Sequence, residues 1–160
     1  MKAIGVMMDE QLGNEGGVTK FFEEHGDRFR IENGCAVEVD LSSTSAADEH
    51  LAHLVLYQDL EILDLSDTKI TDDGLKHLQV LDKLKRLLLA RDHISSDGLC
   101  NLVSLRALQY LDLSSTPIGA DSISVLARMT NLEGLDIRGS QFSRAGRRQL
   151  KDALPMCNIF

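Results

Sequence analysis

The chain has 160 residues, 43% of them hydrophobic but only 4% aromatic, with no Trp. That length suits a single domain, and the apolar content suffices for a continuous aliphatic core. The formal charge of −8 comes from residues 1–60, where twelve acids stand against four bases, while residues 61–160 carry thirteen of each; no basic stripe exists to bind nucleic acid.

Residues 1–35 read as an N-terminal cap built from a helix and a hairpin strand. The run AIGVMM at 3–8 is shorter than the apolar core of a signal peptide. With its continuation DEQL it is weakly helical, and GNEGG then breaks it. VTKFFEEHG reads as a short helix with Phe21 and Phe22 inward. DRFRIENGCAVEVDL has the pattern of a hairpin: Phe29 and Ile31 alternate with charged residues, Asn33-Gly34 suits a type I′ turn, and Val37, Val39 and Leu41 resume the alternation.

From residue 36 to 160 one unit recurs. Leu63 and Leu65 return as Leu87 and Leu89, then Leu111 and Leu113, then Leu135 and Ile137; Val39 and Leu41 precede them and Ile159 follows, always 24 residues apart. A fixed period of this size marks a solenoid of stacked units. Each unit divides into three parts. A short strand such as ILDLS at 62–66 turns its leucines inward. A turn then holds one more apolar residue: Ile70, Ile94, Ile118 or Phe142. A helix follows, with Thr71, Ser95, Gly119 or Ser143 at its N-cap and Asp73, Asp97 or Asp121 in its first turn. Leu75, Leu78 and Leu81, repeated as Leu99, Leu102 and Leu105, have the spacing of a buried helical face. In the last helix, from about residue 143, that column ends in Arg147, with Arg148 and Lys151 alongside. A polar outer face of this kind suits a C-terminal cap. MCNIF at 156–160 reads as a final strand whose open edge can pair with another copy.

The pattern L-x-x-L-x-L-x-x-T-x-I-x-D-x-G-L-x-x-L-x-x-L, best matched by Leu60–Lys83, resembles leucine-rich repeats of the ribonuclease-inhibitor-like, cysteine-containing type. The resemblance covers 36–160, about four and a half repeats. It implies an α/β solenoid, a right-handed horseshoe arc with a parallel concave sheet and convex helices, usually used to bind proteins. The chain departs from the pattern at the column that often holds Asn or Cys, which here reads Thr44, Thr68, Asp92, Thr116 and Ser140. These side chains can still bond to loop backbone.

Strand residues between the leucines face the concave surface in three rows. The first reads Glu38, Ile62, Arg86, Tyr110, Gly134; the second Asp40, Asp64, Leu88, Asp112, Asp136; the third Ser42, Ser66, Ala90, Ser114, Arg138. Aspartates on adjacent strands repel, so the second row reads either as a groove for a basic segment or as repeat consensus, each Asp solvated or bonded to a neighbouring hydroxyl. The middle repeat replaces Asp with Leu88 and adds Arg86. With Ile62 and Tyr110 it forms an apolar and aromatic patch holding an arginine, the composition in which interface energy concentrates. Ile62, Arg86, Leu88 and Tyr110, with Asp40, Asp64, Asp112, Asp136 and Arg138 around them, are the expected partner-binding residues.

No catalytic constellation is legible. His53 and His77 share a column on the helical side without a third metal ligand, and no His stands in a triad pattern. Neither a metal nor a cofactor is expected. Cys35, Cys100 and Cys157 are odd in number and far apart, which fits a reducing compartment, and no segment has the length of a membrane span. The reading is a cytoplasmic, non-catalytic module that binds a protein or peptide on its concave face, the partner carrying a basic segment if the aspartate row is used, with no nucleic acid or membrane. The alternative is a self-associating protein, a homodimer through residues 156–160 or an assembly through its acidic N-terminal and basic C-terminal ends.

Overall fold

The computed structural model describes residues 24, 25 and 28–160. The helix expected over 3–12, and Phe21 and Phe22 of the second expected helix, lie outside the described residues. Among the described residues, period-2 alternation gives seven strands: β1 (Phe29–Glu32), β2 (Cys35–Asp40), β3 (Ile62–Asp64), β4 (Arg86–Leu88), β5 (Tyr110–Asp112), β6 (Gly134–Asp136) and β7 (Asn158–Ile159). They form one sheet in chain order. β1 and β2 are antiparallel across a turn in which Asn33 and Gly34 both have positive φ, as a type I′ hairpin requires. Strands β2 to β7 are parallel, and the register Val39, Leu63, Leu87, Leu111, Leu135, Ile159 keeps the 24-residue step throughout. One expected inward residue is displaced. The β1–β2 register shifts between Arg30 and Ile31, so Ala36 enters the core and Val37 stays half-buried.

Between strands the chain crosses on the other face of the sheet through α1 (Asp48–Leu51), α2 (Asp72–Leu75), α3 (Ser96–Leu99), α4 (Ile123–Leu126) and α5 (Arg144–Ala153). The first four are single turns, three of which continue as 3-10 helix, for example over Lys76–Val80. The expected full helices are thus replaced by a tighter form. With its longer rise, 3-10 winding spans the crossing in fewer residues than α-helix needs. The leucine columns bury as expected: Leu75 and Leu78 are fully buried, as are Leu99 and Leu102, and Ile70, Ile94, Ile118 and Phe142 close the turns.

Neighbouring units are also joined by polar contacts. Asp48 accepts from the backbone N–H of Thr71 (2.8 Å) and from its hydroxyl (2.6 Å). Asp72 does the same for Ser95, while Thr71 and Ser95 cap their own helices. Gly74 and Gly98 make room for these carboxylates: a Cβ on Gly98 would stand 2.0 Å from Asp72 Oδ1. The device stops at the next boundary, where Ser96 occupies the Asp position and bonds to Asp121 instead. There Gly119 starts its helix without a side-chain cap.

In the departing column, Thr44, Thr116 and Ser140 each donate to the carbonyl three residues earlier. Asp92 breaks the series. It is 1% exposed, its Oδ1 accepts from Thr68 N–H (2.8 Å) and the Thr68 hydroxyl (3.1 Å), and its Oδ2 is buried without a partner. Burial pushes its pKa up to about 6, and Asp67 and Asp64 add to the rise against the Thr68 bonds.

At the C-terminal end, basic residues of α5 turn back onto backbone. Arg147 donates to the carbonyls of Ile137 (2.8 Å) and Phe160 (3.2 Å), and Lys151 to that of Cys157 (2.6 Å). The corresponding carbonyls of Val37, Glu61, Lys85, Gln109 and Glu133 accept from the next unit's N–H. Lys151 supplies that missing donor. Among the described residues, no helix is long and apolar enough to cross a membrane.

Candidate functional site

Inward leucines leave the alternate strand residues on the open face of the sheet, and the parallel register sets them in rows. Glu38, Ile62, Arg86, Tyr110 and Gly134 are paired neighbours, as are Asp40, Asp64, Leu88, Asp112 and Asp136. Adjacent members lie about 4.8 Å apart across the sheet. The expected residues are therefore brought together: Ile62, Leu88 and Tyr110 are half-buried on three consecutive strands around an exposed Arg86.

The centre of this face is a stack. The Arg86 guanidinium carbon lies 5.0 Å from the Tyr110 ring centroid, within cation–π range. The ring reaches over Gly134, where a Cβ would stand 2.7 Å from Tyr110 Cδ2 and 3.9 Å from Phe160 Cε2. Gly134 is buried although it occupies an outward row. Phe160, half-exposed, borders the same place. Desolvation holds the Tyr110 hydroxyl above its ordinary pKa, with Asp112 and Asp136 adding to the rise and Arg86 opposing it.

The aspartate row is largely engaged within the fold. In Asp40, Asp64, Asp112 and Asp136 alike, Oδ1 accepts the backbone N–H two residues on, at 2.8–2.9 Å. The carboxylates thereby satisfy the turn that ends each strand. Two of them also meet guanidinium groups. Arg28 lies 3.6 Å from Asp40, and Arg138 grips both oxygens of the buried Asp136. Burial alone raises the Asp136 pKa, yet the Arg138 bonds outweigh it and hold it below the usual range. Glu38 is paired with Arg30 at 2.7 Å. No carboxylate lies within 4.0 Å of Arg86 among the described residues.

Sequence reasoning missed the role of Gly134, which leaves room for the Tyr110 ring, and missed Phe160, which borders Gly134, and Arg28, which meets Asp40. A glycine beside a tyrosine in an otherwise large-side-chain row was the available signal. Away from this face, Asp59 bonds to Cys35 and pushes its thiol up, which disfavours the nucleophilic thiolate. Among the described residues, no three His, Cys, Asp or Glu side chains are placed to hold a metal ion.

The family model described as Leucine Rich repeat matches residues 58–78 and 104–127. Among solved structures, the chain is similar to internalin C2 of Listeria monocytogenes, at 25% identity and a TM-score of 0.61 over 79% of this chain and 52% of that one. A leucine-rich repeat protein of Leptospira interrogans follows at 18% identity and a TM-score of 0.54, covering 78% of this chain and 36% of that one. The actin-binding site 2 of leiomodin-1 matches at 17% identity and a TM-score of 0.58, over 75% and 79% of the two chains. The last two likenesses concern the fold alone. The chain spans about half the length of the internalin chain. No curated protein matches it.

Proposed function

We propose, because this chain is a leucine-rich repeat protein, that it is a non-catalytic module binding a protein partner on the open, concave face of its sheet. The fold is a scaffold for protein–protein contact. The observation that supports this face is the in-register cluster of Ile62, Arg86, Leu88 and Tyr110, three half-buried apolar or aromatic side chains around a stacked arginine. Side chains held by a hydrogen-bonded sheet lose little freedom on docking, and Tyr and Arg anchors are where interface energy concentrates. On this reading residues 1–35 and the segment from about 143 are caps, which fits the antiparallel β1 on one side and the α5 bonds on the other.

The test is capture from a lysate of the source organism with the wild type and Leu88→Asp in parallel, followed by affinity measurement on whatever is captured. Loss of affinity by tenfold or more in Leu88→Asp and in Tyr110→Ala supports this face. Unchanged affinity in both removes it. Light scattering of the purified chain addresses self-association through residues 156–160, where β7 is two residues long and the Cys157 carbonyl already accepts from Lys151. A monomer at all concentrations eliminates that route.

A further inference from the structure

The sheet face carries three kinds of charge. Glu38, Asp40 and Asp136 each have a guanidinium partner, from Arg30, Arg28 and Arg138. Asp64 and Asp112 each give one oxygen to the N–H of a strand-ending turn, a role they share with Asp40 and Asp136. Arg86 differs from both kinds. Its guanidinium lies on the Tyr110 ring, is exposed, and has no carboxylate within reach among the described residues. Its position is determined nonetheless. The ring beneath it reaches over Gly134, where any larger residue would push it away, and Ile62 and Leu88 border it on the sheet. The fold gains little from an exposed arginine held in this way, whereas an incoming acceptor gains a fork oriented in advance.

We infer that Arg86 is the anchor for a carboxylate of the partner, so that the sheet takes an acidic side chain set among apolar ones. This rests on the concave-face reading and adds the chemistry of the partner to it. A guanidinium seated over an aromatic ring, with no carboxylate partner among the described residues, has N–H groups left for a bidentate contact with a carboxylate. Ile62, Leu88 and Tyr110 supply the apolar surround that removes water from that contact and strengthens it. Asp64 and Asp112 stand in the next row on either side of Leu88. They repel a polyanion such as nucleic acid, and they admit a single carboxylate whose neighbours are neutral or basic. Specificity therefore comes from one attractive charge inside a repulsive border.

The experiment pans a phage-displayed library of random peptides on the wild type, with Arg86→Met and Leu88→Asp as parallel baits. Both positions face solvent on the sheet, and circular dichroism checks that the variants fold. Peptides made from the enriched clones, and twins with each Asp or Glu replaced by its amide, are then titrated by fluorescence polarisation. The expected result is enrichment of Asp or Glu beside aliphatic or aromatic residues. Affinity should fall at least tenfold in Arg86→Met and by an intermediate factor in Arg86→Lys, which keeps the charge without the fork. The amide twin should bind the wild type and Arg86→Met equally weakly, because the pair is already broken. Enrichment of Lys and Arg without Asp or Glu, equal affinity in Arg86→Met, or no enrichment at all overturns the inference. Clones that need Leu88 but not Arg86 remove the anchor and leave the concave face standing. Clones that bind Leu88→Asp as well as the wild type remove the face itself.

Discussion

Asp92→Asn should stabilise the protein above pH 6 and leave it unchanged near pH 4. Asp92 is fully buried, and its carboxyl titrates at about 6 against an ordinary 3.8 because charge is disfavoured there. Between those two values the native state holds a proton that the unfolded chain has released. Stability therefore falls as pH rises through that window and levels off above it. About two pKa units at 1.36 kcal/mol each set the loss at about 3 kcal/mol. Asparagine keeps the oxygen that accepts from Thr68 and replaces the unpartnered Oδ2 with an amide donor. Thr44, Thr116 and Ser140 already donate at this place in their units, each to the carbonyl three residues back. For residue 92 that carbonyl belongs to Leu89. Urea unfolding at pH 4, 6 and 8 measures the difference between the two proteins and so removes titrations common to both. The variant should gain about 2–3 kcal/mol at pH 8, or about 5–10 °C in Tm for a chain of this length. An equal pH dependence in the two proteins, or a variant less stable at pH 8, refutes the argument.

Two further predictions concern a contact between units and the end of the sheet. Gly98→Ala should destabilise by about 2 kcal/mol, since its Cβ would strike Asp72 Oδ1. In an Asp72→Ala background, where only the residue-72 Cβ stays 3.0 Å from the new one, the cost should fall to about 1 kcal/mol or less as helix propensity offsets the remaining contact. A double-mutant cycle by chemical unfolding should therefore show coupling, and additivity would exclude the contact. Lys151→Met should raise amide exchange rates several-fold around β7 while those of β3 stay constant, because Lys151 holds the Cys157 carbonyl at the end of the sheet; equal rates in both proteins would show that the bond does not secure that end.

The repeat period alone determined the sheet order, the parallel register and the leucine columns. Leu63, Leu87, Leu111 and Leu135 must fall on the same side of successive strands once each unit has the same length. The Asn33-Gly34 turn and the Thr71, Ser95 and Ser143 caps were equally legible, because turn and cap chemistry is local. The grouping of Ile62, Arg86, Leu88 and Tyr110 followed from the same step of 24. What each of those side chains is free to do did not follow from it. Sequence left the four aspartates of the second row open to two readings, a groove for a basic segment or repeat consensus, and only the structure placed their oxygens on backbone N–H groups and two of them against Arg28 and Arg138. The short crossings, the unpartnered oxygen of Asp92 and the space that Gly134 leaves for Tyr110 were likewise decided in three dimensions. A period fixes where each Cα lies relative to its neighbours, but hydrogen bonds and ring contacts depend on rotamers chosen among all the groups that meet there, and those groups differ from one unit to the next.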